Sequence, residues 1–144
     1  MASVHDIAAY ILKKRGAMTA WKLQKLVYYS QAWSLVWDEK PLFSARIEAW
    51  ANGPVVPQLY RLHRGKFTVS SWPDGERGNL SQTERETVDA VLKFYGDRTP
   101  QWLSDLTHRE EPWLKARVGL GPNDPGKQEI KLGDMADYYG RLSS

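Results

Sequence analysis

The chain contains no cysteine. A disulfide framework, a thiolate metal site and a cysteine nucleophile are therefore excluded, and the composition suits a reducing, cytoplasmic setting. It has no run of about 18 apolar residues, so no membrane-spanning helix is expected. The first basic cluster, Lys13-Lys14-Arg15, follows an apolar stretch instead of preceding it, the reverse of a secretory signal. Reactive motifs are missing as well. There is no Gly-x-Ser-x-Gly elbow, no His-Glu-x-x-His and no glycine-rich phosphate loop ending in Lys-Ser/Thr. Gly119-Leu120-Gly121 is followed by a proline and lacks the third glycine of a dinucleotide fingerprint. His108-Arg109-Glu110 has the His-x-Glu of zinc deaminases without the paired cysteines which that chemistry needs. No cofactor and no metal ligand set is expected.

What the chain does have is length for one core and many aromatic rings. Its 144 residues and ordinary balance of 42% hydrophobic and 26% charged residues fit one globular domain over 1–144. Seven Trp, seven Tyr and three Phe are enough to fill a core and leave rings for a binding face. Charge is uneven: residues 1–66 carry ten Lys/Arg against four Asp/Glu, and residues 67–144 carry ten against thirteen. Such polarity steers an acidic partner toward the first half, or simply marks two solvated faces.

Local signals predict a mainly helical fold. Ser3 and Asp6 form a capping box for a first helix that stops at Gly16, with Lys13-Lys14-Arg15 suiting its negative end. Thr19 caps a longer helix over about residues 19–37. It has two apolar stripes, one of Leu23, Leu26, Val27, Ser30, Trp33 and Trp37, the other of Trp21, Tyr28, Ala32 and Leu35. Lys22 and Lys25 lie between the stripes on one side, Gln24 and Gln31 on the other. Two apolar faces mark a helix enclosed by neighbours, the centre of the domain. At most a small β-hairpin is expected near residues 42–50, with Asn52-Gly53-Pro54 as a turn. Pro57 opens a third helix that ends at Arg64-Gly65. Residues 66–80 read as an exposed loop with a short strand at Phe67-Thr68-Val69. Ser81-Gln82-Thr83-Glu84 is a second capping box, Thr99-Pro100 and Glu111-Pro112-Trp113 start further helices, and residues 119–126 form a loop. Ile130 and Met135 staple a last helix through Tyr138, Tyr139 and Leu142.

Two groups of residues could carry function without a motif. Arg61, His63, Arg64 and Lys66, with Tyr60 and Phe67 beside them and Trp72 nearby, form a basic-aromatic patch suited to an acidic protein surface or to nucleic-acid phosphates. Phosphate binding would also recruit Lys13-Lys14-Arg15. His108 with Glu110 or Glu111 is the one acid/base constellation, and the alternative reading is a hydrogen-bonded helix-end histidine beside carboxylates at a helix start.

Leu23-Gln24-Lys25-Leu26-Val27-Tyr28-Tyr29-Ser30-Gln31-Ala32-Trp33 resembles the signature helix of the Panacea domain, also called the SocA-like or phage-associated antitoxin domain. Pro41-Leu42-Phe43 and the run from Ile47 to Tyr60 follow in the family's order, as do Ser81-Gln82-Thr83-Glu84, Leu106-Thr107-His108-Arg109-Glu110-Glu111-Pro112-Trp113 and Tyr138-Tyr139. Asn52 stands where a longer polar or aromatic residue is usual, and Ser30 where alanine is. The resemblance implies a non-enzymatic antitoxin of a bacterial or prophage type II toxin–antitoxin system, whose partner is a protein toxin encoded next door. Members bind the toxin directly, and one relative delivers its toxin to a protease as an adaptor. A nucleic-acid partner is not implied, because relatives that bind DNA carry an extra domain. On this reading Leu23, Gln24, Lys25, Leu26, Tyr28, Tyr29, Trp33, Trp50, Gly53, Pro54, Val55, Pro57, Thr107, His108 and Trp113 are signature scaffold. Tyr60, Arg61, Arg64, Lys66 and Trp72 are the candidate toxin contacts.

Overall fold

The computed structural model describes residues 1–143. Helix α1 (Val4–Arg15) leads through strand β1 (Met18–Thr19) into α2 (Ala20–Trp37). An irregular stretch reaches the hairpin β2 (Glu48–Trp50) and β3 (Gly53–Val55), then α3 (Pro57–His63) and β4 (Thr68–Val69). A single 3-10 turn at Arg77–Asn79 precedes α4 (Gln82–Tyr95), α5 (Pro100–Arg109), α6 (Glu111–Ala116) and α7 (Leu132–Leu142). The fold is mainly α, with two small antiparallel sheets among the described residues, β1–β4 and β2–β3.

The helix starts follow from local chemistry. Ser3 Oγ accepts from Asp6 N while the Asp6 carboxylate accepts from Ser3 N, and Ser81 and Glu84 repeat this box for α4. Thr19 and Thr99 each take the amide hydrogen of the third residue on, Lys22 and Trp102. Such caps satisfy backbone donors that the helix cannot. Pro57, Pro100 and Pro112 occupy first-turn positions, where the missing N–H is no loss. Ile130 and Met135, which flank the start of α7, are both buried.

Helix α2 is the centre. It lies against α1, α4, α5, α7 and β3, and every residue from Leu23 to Ala32 is buried. The sequence leaves two polar flanks on this helix; the structure buries Gln24, Gln31 and Lys25 and half-buries Lys22. Gln31 Oε1 accepts from the amides of Leu42 (2.7 Å) and Phe43 (3.3 Å), and its Nε2 donates to Phe43 O at 2.8 Å. Gln24 makes the same kind of clamp on Val56, accepting from its N at 2.8 Å and donating to its O at 3.2 Å. These side chains serve irregular backbone that a helix or sheet would otherwise have to serve.

Three expectations shift. The hairpin is smaller and later than residues 42–50. Leu42 and Phe43 pair with Gln31 in place of a strand, and the turn falls at Ala51-Asn52, with Gly53 and Pro54 inside β3 opposite Trp50 and Ala49. The chain around Gln128–Ile130 runs along the hairpin, with Ala49 N donating to Gln128 O and Ile130 N to Ile47 O. The loop over 66–80 is not wholly exposed, because Val69, Trp72 and Leu80 are buried. It is tied to α1: the Asp6 carboxylate accepts from Glu76 N (2.8 Å), and Trp72 Nε1 donates to His5 Nδ1 (3.1 Å). A Cβ on Gly75 would lie 1.9 Å from the His5 carbonyl oxygen, so only glycine lets the loop approach this closely.

Replacing Gln31 by Ala orphans two buried amides and a carbonyl. Q31A is expected to lower the unfolding free energy in urea by about 3 kcal/mol, whereas the exposed Gln58→Ala changes it by less than about 0.5 kcal/mol.

Candidate functional site

The basic-aromatic patch is only partly a surface. Arg61, Arg64 and Lys66 are exposed, and neighbouring Phe67 is 75% exposed. Tyr60 is half-buried, its ring against Trp50 (4.9 Å) and Trp21 (6.2 Å). Trp72 points inward to His5 and His63 and is not a free contact residue. Lys14 and Arg15 pair with Asp89 (3.7 Å) and Asp97 (2.7 Å), so two of the three cations ending α1 are already engaged.

His108 does not meet Glu110 or Glu111. Its Nε2 is 3.1 Å from Ala51 O, and it lines a pocket beside the hairpin. Burial, with the charges of Lys25 and Arg117, lowers its pKa. Glu111 pairs with Arg141 at the surface. Glu110 turns into the core, a placement that reading it as a helix-end carboxylate missed. Its Oε1 accepts from Tyr29 Oη (2.7 Å) and Tyr139 Oη (2.8 Å), and Tyr139 Oη also reaches Tyr28 Oη at 3.1 Å. Burial raises the Glu110 pKa against the opposing effect of the two phenols, and burial raises those of Tyr28, Tyr29 and Tyr139. The two Tyr-Tyr pairs were the available signal, since a buried phenol needs a partner.

Two concavities flank α5. One is a groove of about 640 Å³ between α2, α4, α5 and the end of α7, lined by Trp33, Trp37, Val91, Phe94, Tyr95, Trp102, Leu106 and Leu142 with Glu110 at its base. Its floor is locked: Tyr29 stacks on Tyr95 at 4.1 Å, Trp33 stacks on Trp37 at 5.0 Å, and Trp33 Nε1 donates to Tyr95 Oη at 3.0 Å. Its walls are open, with Trp37 48%, Phe94 58% and Leu142 55% exposed. The Arg98 guanidinium lies 4.5 Å from the Trp102 ring centre and 6.0 Å from that of Phe94.

The other concavity, about 350 Å³, lies between the start of α2, the hairpin turn and α5. It is lined by Trp21, Lys25, Asn52, Pro100, Gln101, Ser104, Asp105 and His108. Lys25 is only 2% exposed, and burial lowers its pKa to about 8. Gly53 sits over it with φ +121°, and a Cβ there would fall 2.7 Å from Lys25 Cε. Behind it, Gln24 Nε2 contacts His63 Nε2 at 3.0 Å. An amide nitrogen can only donate, so His63 accepts there and is neutral. Burial, followed by the charge of Lys25, lowers its pKa.

A family model described as antitoxin SocA-like, Panacea domain, matches residues 23–114. The chain belongs to this family. Membership assigns an antitoxin-type role. No curated protein and no solved structure matches the chain. Within the Panacea segment, Leu23, Gln24, Lys25, Leu26, Tyr28, Tyr29, Gly53, Pro54, Val55, Thr107 and Trp113 are buried, and Trp33, Trp50, Pro57 and His108 are half-buried. The segment holds the lining of the Lys25 pocket except Trp21 and that of the groove except Leu142. No helix of the described residues is long and apolar enough to cross a membrane, and no three of their His, Asp or Glu side chains gather as a metal site.

Lys25 makes stability depend on pH in a definite sense. Its folded pKa, about 8, lies below the ordinary lysine value near 10.4. Between the two, the unfolded chain holds a proton that the folded chain does not, so stability rises with pH. Relative to Lys25→Met, the parent protein is expected to gain up to about 1.4 kcal/mol per pH unit from about pH 8 to 9.5, read from urea unfolding of both proteins across that range.

Proposed function

We propose that this chain, as a single Panacea domain, is the antitoxin of a bacterial or prophage type II pair and neutralises an adjacently encoded protein toxin in the cytoplasm by binding it directly. One observation carries the choice of surface: an open aromatic groove whose rings are held in place before any partner arrives. Affinity in protein interfaces concentrates in a few buried aromatic and arginine anchors, and preformed anchors lose little side-chain entropy on binding. Trp37, Phe94, Trp102 and Leu142 supply the apolar anchors, with Arg98 held between two rings and unpaired with any described carboxylate. The matching toxin surface is an apolar ridge with an acidic residue near Arg98.

A second reading rests on Arg61, Arg64 and Lys66, which are exposed and take part in no ion pair among the described residues. They would serve either as the toxin contact or as a nucleic-acid surface. The latter requires binding that weakens steeply with salt.

Co-expression separates these readings. The neighbouring reading frame is expected to arrest growth alone and to be harmless beside this chain. Phe94→Asp is expected to weaken binding to the purified toxin by about thirtyfold or more, the scale of one hot-spot residue, while reversal of Arg61, Arg64 and Lys66 to glutamate leaves protection intact. The opposite pattern moves the contact to α3. A toxin that disappears from cells only when a host protease is present identifies adaptor delivery. A neighbour that is harmless alone, or lethal beside this chain, ends the neutralisation reading.

A further inference from the structure

We propose that the pocket over Lys25 is a binding site for a single carboxylate. An ammonium has three N–H donors and no acceptor. Lys25 is buried, yet no described residue accepts a hydrogen bond from its Nζ or forms an ion pair with it; its recorded neighbour is the Trp21 ring, centred 5.7 Å from Nζ. No buried side-chain nitrogen among the described residues is sealed away without a partner, so Nζ opens onto the pocket that it lines. A buried charge is ordinarily compensated by a counter-charge or by hydrogen bonds. Here the protein supplies neither.

The groups packed closest to Lys25 do not neutralise it. His63 and His108 are both shifted toward their neutral forms in part by Lys25 itself. Pro100 and Gln101, in the first turn of α5, line the same pocket, and a helix start carries positive partial charge. Asp105 stands at the exposed rim, where its carboxylate accepts from Gln101 Nε2 at 2.8 Å.

Three features select a carboxylate among anions. One ammonium matches one negative charge. Asp105 at the rim repels a dianion more strongly than a monoanion. A volume of about 350 Å³ walled by Trp21 and Pro100 accepts a short carbon skeleton behind the acid group, at the small end of ligand pockets. Asn52 is exposed at the mouth, and its side-chain amide is available to the second carboxylate oxygen. Gly53 keeps the lysine on course, because any Cβ there would displace it. The carboxylate can come from the side chain or C-terminus of a bound protein or from a free small acid, and the site does not depend on the toxin reading.

Full-length protein with ¹⁵N-labelled lysine tests this. Titration with acetate is expected to shift the Lys25 Nζ signal saturably and to raise its titration midpoint toward the ordinary lysine range. Lys25→Met, shown to be folded by circular dichroism, is expected to bind acetate at least about tenfold more weakly, the effect of one charge-assisted hydrogen bond. Asp105→Asn, at an exposed position, is expected to bind it more tightly. A capped peptide with one glutamate binding better than both acetate and its glutamine counterpart assigns the carboxylate to a protein chain. Butyrate, a monocarboxylate, binding better than that peptide assigns it to a free acid. A Lys25 signal that ignores acetate, or inorganic phosphate binding as tightly as acetate, overturns the proposal.

Discussion

The fold depends on how the enclosed helix α2 satisfies its own polar side chains. Gln24 and Gln31 are fully buried, and each pairs its amide oxygen and one amide hydrogen with backbone that belongs to no regular element, while Gln24 also meets the His63 ring. Each glutamine presents one acceptor and two donors at fixed spacing, which suits the N–H and C=O of a single extended residue. Val56 and Phe43 are therefore held as if each lay beside a strand. This allows Leu42, Phe43 and Val56 to be core residues although they lie outside any regular element. An apolar residue at position 24 or 31 would fill the same space and leave the neighbouring backbone unserved.

The same economy governs the charged groups taken inside. Glu110 closes α5, opens α6 and satisfies two tyrosines from α2 and α7. Arg117 donates to the carbonyls of Ala49, Gly121 and Asp124 and lies over Trp113 at 5.1 Å, so one side chain holds both the hairpin and the glycine-rich loop after α6. Burying an ion is unfavourable unless its hydrogen bonds are met, and each of these two residues meets that condition with several partners. Lys25 alone among the three does not, which separates it from structural charges of the same chain.

Legibility in the sequence follows the range of the interaction. The caps at Ser3, Thr19, Ser81 and Thr99, the stops at Gly16 and Gly65, and the prolines at helix starts are decided within four residues, and the helices stand close to where those residues put them. The enclosure of α2 was visible in its two apolar stripes. The direction of its polar flanks was not, because glutamine and lysine are ordinarily solvated and the partners of Gln24 and Gln31 lie 32 and 11 or 12 residues away. Trp72 misled for the opposite reason. It sits among Pro73, Asp74 and Gly75 in a stretch with loop composition, and its indole hydrogen bond to His5, 67 residues away, is one of the long-range contacts that fold this loop back on α1. Of the candidate contacts, Arg61, Arg64 and Lys66 are where a surface patch requires them. The groove went unseen because it joins Trp37, Phe94, Trp102 and Leu142 from four separate helices.

Helix α5 unites the two concavities. Trp102 and Leu106 face the groove, while Gln101, Ser104, Asp105 and His108 face the Lys25 pocket, as expected for residues three and four apart on one helix. Its length is about 15 Å at 1.5 Å per residue, well within the footprint of a standard protein interface. A partner lying across α5 could seat an apolar ridge in the groove and an acidic side chain over Lys25 together. The two contacts would divide the work. Burial of apolar surface in the groove gives affinity with little directional preference, whereas an uncompensated ammonium rewards one charge at one place and penalises a partner that buries it without an acceptor. A surface built this way can keep its aromatic scaffold and change its choice of partner through the rim residues alone.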